Sequence, residues 1–142
     1  MVGFPAEPDA DGWYVRAPGD TGTFIESYGT IRVRREGERM ARIRLDTHRG
    51  HANSKGGTHG GHLLAIVDMA IIAGPTVCGL PAFGGATIDV SAQFLAPVAI
   101  DREIDVLVEV LKETGRMFFV RGIIEQDGEA ALSFSGTVRK PR

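Results

Sequence analysis

The chain has little of what would mark a secreted, membrane-bound or nucleic-acid-binding protein. Its one cysteine, Cys78, excludes an intrachain disulfide and fits a reducing compartment. Neither sign of charge dominates: the formal net charge over 142 residues is −2 and the basic residues are scattered, so no nucleic acid and no membrane surface is the expected partner. No window is read as approaching the roughly 18 apolar residues of a membrane span. The N-terminal VGFPAEPDADG is no signal peptide, so a cytoplasmic protein is expected. Repeats and low-complexity segments are absent. The glycine pairs are not a phosphate loop, because no strand leads into a GKS or GKT. Histidine does not occur after His62.

What is present is concentrated between His51 and Asp68, HANSKGGTHGGHLLAIVD. Gly56, Gly57, Gly60 and Gly61 allow positive φ and close approach of a ligand to bare backbone. The next eleven residues hold only His62 and Asp68 as polar side chains. A helix beginning near Gly60 is therefore apolar on nearly every face. It is expected to be buried through Leu63, Leu64, Ile66, Val67, Met69, Ile71 and Ile72, with Gly74-Pro75 as its stop. Burying an unpartnered carboxylate costs roughly several kcal/mol. Asp68 is thus the first candidate for chemistry; the plain alternative is a capping or arginine-paired structural aspartate.

Residues 1–22 hold three of the seven prolines and four glycines and read as an irregular N-terminal arm, ordered by contact with the rest. Residues 23–142 read as a single domain. Phe24 to Tyr28 is a short strand or helix broken by Gly29. Ile31/Val33 and Ala41/Ile43/Leu45 alternate with arginines on either side of Glu36-Gly37-Glu38, which predicts a hairpin with one basic, wet face. Beyond the helix, Ile88, Val90, Ala92 and Phe94 line one face of a strand that ends before Pro97. Three more strands follow, with turns at Glu113-Thr114-Gly115 and Asp127-Gly128. The order predicts an α+β fold with an antiparallel sheet, and so small a domain hides a lone apolar helix only if the sheet curls round it.

The spaced pattern His51-x-Asn53-x-x-Gly56-x-x-His59-Gly60-Gly61, with Asp68 seven positions on, resembles the signature of the hotdog-fold acyl-CoA thioesterases of the phenylacetic-acid-pathway (PaaI-like) branch. The similarity extends through GATIDVSAQFLAPV and the TGRMFF turn, covering roughly residues 23 to 140. It implies a curved antiparallel sheet wrapped around one long central helix and assembly as a homodimer or dimer of dimers. It also implies hydrolysis of an aryl or medium-chain acyl-CoA without metal or cofactor, CoA being part of the small-molecule substrate. Carried over by position, Asp68 is the catalytic carboxylate, acting as general base or nucleophile. Gly60 holds the thioester carbonyl by its backbone N–H, Asn53 helps polarise or position it, and Thr87 orients the water. His59 and Gly61 are expected to shape the substrate site, and Arg116, Arg139 and Lys140 to meet the phosphates of CoA.

The residue types suit that chemistry. Thioester hydrolysis develops negative charge on the carbonyl oxygen, and the N–H groups of a helix start are a ready donor site. Other readings weigh less. His48, His51, His59 and His62 lie within fifteen positions with HxxH spacings, a pattern metal sites use, but no cysteine or nearby carboxylate except Asp46 completes a set; the expectation is no metal and loop-bound histidines. Cys78 has an apolar context and no paired histidine, so it is expected to be structural. A hotdog hydratase or dehydratase wants a histidine working with Asp68, and a non-catalytic acyl-CoA binder has no need of Asn53, Gly60 and Asp68 together. Gly60 and Asp68 are about 12 Å apart along one helix axis, too far to serve one substrate. The sequence therefore predicts that two chains share each site, Gly60 and Asn53 from one and Asp68 and Thr87 from the other.

Overall fold

The computed structural model describes residues 4–142. Seven strands form one antiparallel sheet: β1 (Trp13–Arg16), β2 (Ile31–Arg35), β3 (Met40–Asp46), β4 (Ala86–Phe94), β5 (Glu103–Glu113), β6 (Met117–Gln126) and β7 (Glu129–Arg139). Their spatial order is β1-β2-β3-β5-β6-β7-β4. The single long helix, α1 (Gly60–Val77), touches β2, β3, β4, β5 and β7. One helix reaches five strands of a sheet only when the sheet bends round it, the curved arrangement expected from the sequence.

Period-two patterning produces the hairpins. Ile31 and Val33 of β2 and Ala41, Ile43 and Leu45 of β3 are buried, and the register Ile31↔Leu45 to Arg35↔Ala41 puts them on one face. Asp127 (φ 53°) and Gly128 (φ 80°) both adopt the left-handed region that a two-residue turn between β6 and β7 requires. The outer face of the first hairpin is ion-paired as well as basic. Arg42 bonds Glu36 and Asp105 at 2.8 and 2.6 Å, and Arg44 bonds Asp105 at 2.7 Å. Arg34 and Arg44 also lie over the Trp13 ring.

That tryptophan marks one departure from expectation. Residues 13–16, read as part of an irregular arm, form β1 and extend the sheet beside β2. Arg16 on this strand is buried and reaches Glu26 at 2.7 Å, tying the arm to the short 3-10 helix Phe24–Tyr28.

The helix departs from expectation in three ways. Gly74-Pro75 does not stop it; both lie inside it, and it ends three residues later with Gly79 at φ 82°. There the Gly79 N–H bonds the Thr76 carbonyl and the Leu80 N–H bonds the Pro75 carbonyl, which satisfies two end carbonyls. Gly74 serves close packing instead, since a Cβ there would lie 2.7 Å from Val108 Cγ1. Next, α1 is long and apolar enough to cross a membrane by length and composition, with mean hydropathy 1.5 over its 18 residues, where the sequence reading found no such window; it packs against the sheet instead. Finally, it is not buried on every face. Leu63, Ile66, Val67, Ala70 and Ile71 are buried, while Leu64 is 40% exposed and Asp68 is exposed with it.

Among the described residues, β4 has no strand on its far side. A register shift between Thr87 and Asp89 interrupts the expected alternation and leaves Ile88 more than half exposed; Phe94, at the strand end, is also more than half exposed. The bulge turns Thr87, rather than Ile88, towards α1.

Candidate active site

The site begins in the loop before α1, where Asn53 folds the chain back on itself. Its Oδ1 accepts from Lys55 N–H at 2.8 Å and Gly57 N–H at 3.2 Å, and its backbone N–H bonds the Gly57 carbonyl at 2.7 Å. Gly56 supplies the positive φ of 88° this turn needs. Thr58 N–H then bonds the Val98 carbonyl and His59 N–H the His51 carbonyl, each at 2.7 Å, so the helix start is fixed from both sides.

His59 is the N-cap: its Nδ1 accepts from the Gly61 N–H at 2.9 Å. The next two helical N–H groups, of His62 and Leu63, fold onto the His59 carbonyl. The Gly60 N–H has no acceptor among the described residues. It is the open donor of the helix N-terminus, backed by the helix dipole. A side chain at Gly60 would press on the Phe94 ring, 3.2 Å from where its Cβ would sit.

Asp68 lies two turns along the same helix, on its exposed stripe. Thr87 reaches across from β4, and its hydroxyl donates to Asp68 Oδ1 at 2.7 Å. The expectation that Asp68 is buried inside the domain fails because the stripe carrying it and Leu64 has no sheet over it. Next to Asp68 opens an apolar cavity of about 220 Å³, walled by Ile25, Ile31, Met69, Ile72 and Phe83 among others. Tyr28 stands nearby. Its hydroxyl donates to the Ala65 carbonyl at 2.8 Å, and burial together with the negative charge of Asp68 pushes the phenol up to about 12. Tyr28, Ile25 and Phe4 line or support this region and were not singled out from the sequence; only their contacts in the fold reveal them.

The histidines gather at the other end, around the helix N-terminus. His48 Nδ1 accepts from Gly50 N–H, His51 Nδ1 accepts from His48 N–H, and His51 Nε2 donates to the Ser27 carbonyl at 2.8 Å. His62 stacks on His51 with ring centroids 3.7 Å apart. Burial, reinforced by His51, His48 and His59, holds His62 down to about 4, so the stack is neutral near pH 7. His59, His62, Gly61 and Phe24 face a second cavity of about 500 Å³. No three His, Cys, Asp or Glu side chains among the described residues are grouped to hold a metal ion. Cys78 is buried, and burial pushes its thiol up.

Arg116, Arg139 and Lys140 meet at one corner of the sheet. Met117 pairs with Arg139, the Lys140 N–H bonds the Arg116 carbonyl, and Arg139 also pairs with Ala86, next to Thr87. Arg116 and Arg139 are exposed, whereas Lys140 pairs with Glu113 at 2.5 Å and lies over the Phe118 ring. The fold thus brings Asp68 to Thr87 and this basic corner close to Thr87. Gly60, Asn53, His59 and Gly61 cluster separately, eight helical residues away from Asp68.

Solved structures share this fold. A mutant form of phenylacetic acid degradation protein PaaI from Thermus thermophilus superposes with a TM-score of 0.70 at 20% identity, over 82% of this chain and 97% of that one. A hypothetical thioesterase from Streptococcus pneumoniae, solved with coenzyme A, gives 0.68 at 16% identity over 78% and 87%. Mouse thioesterase superfamily member 2 gives 0.67 at 16% identity over 77% and 80%. These likenesses establish the hotdog fold. No curated protein matches the chain. The sequence pattern of the acyl-CoA thioesterase N-terminal domain matches residues 47–139, from the loop that presents Gly60 to the last strand of the sheet. On that match the chain belongs to the acyl-CoA thioesterase family.

Proposed function

We propose that the protein hydrolyses an acyl-CoA thioester, with an aryl or medium-chain acyl group, at sites shared between two copies of the chain. The observation that carries this reading is the Asp68 carboxylate, held by Thr87 at the mouth of an apolar cavity. The open Gly60 N–H supplies the complementary donor. In this mechanism the Gly60 N–H receives the thioester carbonyl oxygen as it becomes an oxyanion. The Thr87 hydroxyl donates its hydrogen bond to Asp68, so its oxygen is free to accept from a water beside that carboxylate. Asp68 takes a proton from this water as its oxygen bonds the carbonyl carbon. Collapse of the tetrahedral intermediate breaks the C–S bond, and the thiolate leaves and is protonated to free CoA. CoA enters as part of the acyl thioester and leaves as the free thiol, and the chemistry needs no resident cofactor or metal.

Two chains are required because Gly60 and Asp68 of one helix stand about 12 Å apart, against the contact distance of about 3 Å that attack demands. The unpaired edge of β4, with Ile88 and Phe94 exposed, and the Leu64–Asp68 stripe of α1 support a second copy docked here. Antiparallel helices then set Gly60 and Asn53 of one subunit against the other subunit's Asp68 and Thr87. Arg116 and Arg139 offer the CoA phosphates exposed guanidinium groups beside Thr87.

The test is a thiol-reagent assay of the purified protein against a panel of acyl-CoA thioesters, with Asp68→Asn in parallel. The expected result is turnover of at least one thioester and a loss of roughly two orders of magnitude or more in kcat for the variant, with its fold intact. Unchanged turnover in Asp68→Asn would remove Asp68 from the mechanism. Absence of any turnover by the wild type would leave an acyl-CoA binder.

A further inference from the structure

We infer that Phe94 is a positioning residue for the thioester carbonyl, a wall beside the Gly60 N–H that holds it, and that residue 60 is glycine to make room for this ring. The inference rests on the thioesterase reading above, which brings the carbonyl oxygen to the Gly60 N–H. Where an L side chain at residue 60 would place its Cβ, Phe94 Cε1 and Cζ lie 3.2 and 3.3 Å away and Cδ1 4.0 Å. The Cε1–Cζ edge of the ring therefore fills the space beside the open donor that a side chain would otherwise take.

The core does not ask for an aromatic ring at this position. Val90, Ala92 and Ala96 of the same segment pack against the core cluster, whereas Phe94 does not belong to it and is 55% exposed. Its placement is nonetheless fixed. Phe94 pairs with Leu132 on β7, and the Leu95 and Ala96 N–H groups both bond the Ala131 carbonyl. Just beyond, the Val98 carbonyl accepts from Thr58 N–H at 2.7 Å, and Gly57 and Ala99 form a bridge. The segment after β4 is thus tied to the loop before α1 close to Gly60, and ring and donor keep one spacing.

The chemistry gives this spacing a use. The Gly61 N–H is taken by His59 Nδ1, and the N–H groups of His62 and Leu63 by the His59 carbonyl. An incoming carbonyl oxygen therefore meets the Gly60 N–H alone of these helix-start donors. One hydrogen bond sets the distance of that oxygen and only loosely the tilt of its C=O group. Ring carbons on one side limit the tilt, and they deny that side to water, which competes for the same N–H. Thr87 serves Asp68 near the beginning of β4 and Phe94 serves Gly60 at its end, so in the shared arrangement one strand supplies a residue to each of two sites.

The test is kcat and KM on the best acyl-CoA of the panel for wild type, Phe94→Leu, Phe94→Ala, Gly60→Ala and the Gly60→Ala/Phe94→Ala double variant, with the melting temperature of each. Phe94→Ala should lose about tenfold in kcat, with KM within about twofold and a nearly unchanged melting temperature, and Phe94→Leu should fall between it and the wild type. Gly60→Ala should lose a similar factor by displacing the ring. The double variant should then fall no further than Phe94→Ala, about tenfold below wild type, where independent losses would multiply to about a hundredfold. Multiplied losses would mean that the glycine serves the substrate alone, and would overturn the inference. Wild-type kcat in Phe94→Ala would do the same, or in Phe94→Leu if the alanine variant does not fold. A loss confined to KM, or one that vanishes as enzyme concentration rises, would place the ring in binding or assembly and overturn it too. Each of these results leaves the hydrolase standing, because the wild type turns over; a wild type that turns over no acyl-CoA would overturn both.

Discussion

The Thr87 hydroxyl and the Asp68 carboxylate, nineteen residues apart in the chain, share a 2.7 Å hydrogen bond that joins the edge strand β4 to the exposed side of α1. This bond fixes the carboxylate rotamer and leaves the Thr87 oxygen able to accept. Thr87→Ala should therefore lower kcat by roughly ten- to a hundredfold with little change in KM, while Thr87→Ser retains most of it. Steady-state kinetics on the best acyl-CoA separates the cases. Equal activity of Thr87→Ala and wild type would mean that the bond is structural only.

The proposed sharing of the site between chains has its own signature. Asn53→Ala and Asp68→Asn proteins, each nearly inactive, should regain up to about a quarter of wild-type activity when co-refolded as an equal mixture. Half of the dimers are then hybrid, and each hybrid holds one intact site of two. Hybrids demonstrated by mass spectrometry but inactive would place all four residues in one chain.

The stacked histidines predict acid sensitivity. Burial depresses His62 from 6.5 to about 4 and lowers His51 in the same direction. Between those pH values the unfolded chain binds the proton and the folded one does not, so stability is full above about pH 6.5 and falls as pH drops towards 4. The melting temperature of the wild type should decline over this interval more steeply than that of His62→Gln. Parallel declines would mean that His62 is not the group responsible.

The ion pairs outside the sheet act at lower pH. Burial pushes Asp105 up, but the hydrogen bonds from Arg44 and Arg42 outweigh it and hold the carboxyl below its ordinary 3.8. Its stabilising contribution is therefore present above pH 3.8 and is lost as pH falls through the depressed folded-state value. Asp105→Asn should cost roughly 1–3 kcal/mol in urea unfolding at pH 7, because it removes the carboxylate that Arg42 and Arg44 share. The difference from wild type should narrow below pH 3.8. A constant gap would locate the loss in packing rather than charge.

Local patterns were legible where one physical rule acted alone. Alternating Ile and Val with Arg revealed β2 and β3, and Asp127-Gly128 revealed its turn because few other pairs accept two positive φ values. The Asn53–Asp68 stretch named candidate residues in one run of sequence, which the fold divides between the helix start and the Asp68–Thr87 pair. What escaped depended on distant partners. Gly74-Pro75 reads as a stop, yet Val108 needs a glycine beside it and the helix runs through. The bulge that turns Thr87 rather than Ile88 towards Asp68 leaves no local trace in a strictly alternating stretch. Burial of Asp68 was inferred from an apolar run, but one chain covers only part of that helix.

The proposed reacting groups and part of the cavity wall belong to different parts of the chain. Gly60, Asp68 and Thr87 sit on α1 and β4, whereas Phe4, Ile25 and Phe83 come from the N-terminal arm, the short 3-10 helix and the loop after α1. On the proposed function, mutations in the second set should retune which acid is released without disturbing how it is released. An ancestral gene with this plan can diverge into paralogues of different diet by drift in its periphery alone, and a laboratory library seeking new substrates would diversify positions 4, 25 and 83 first.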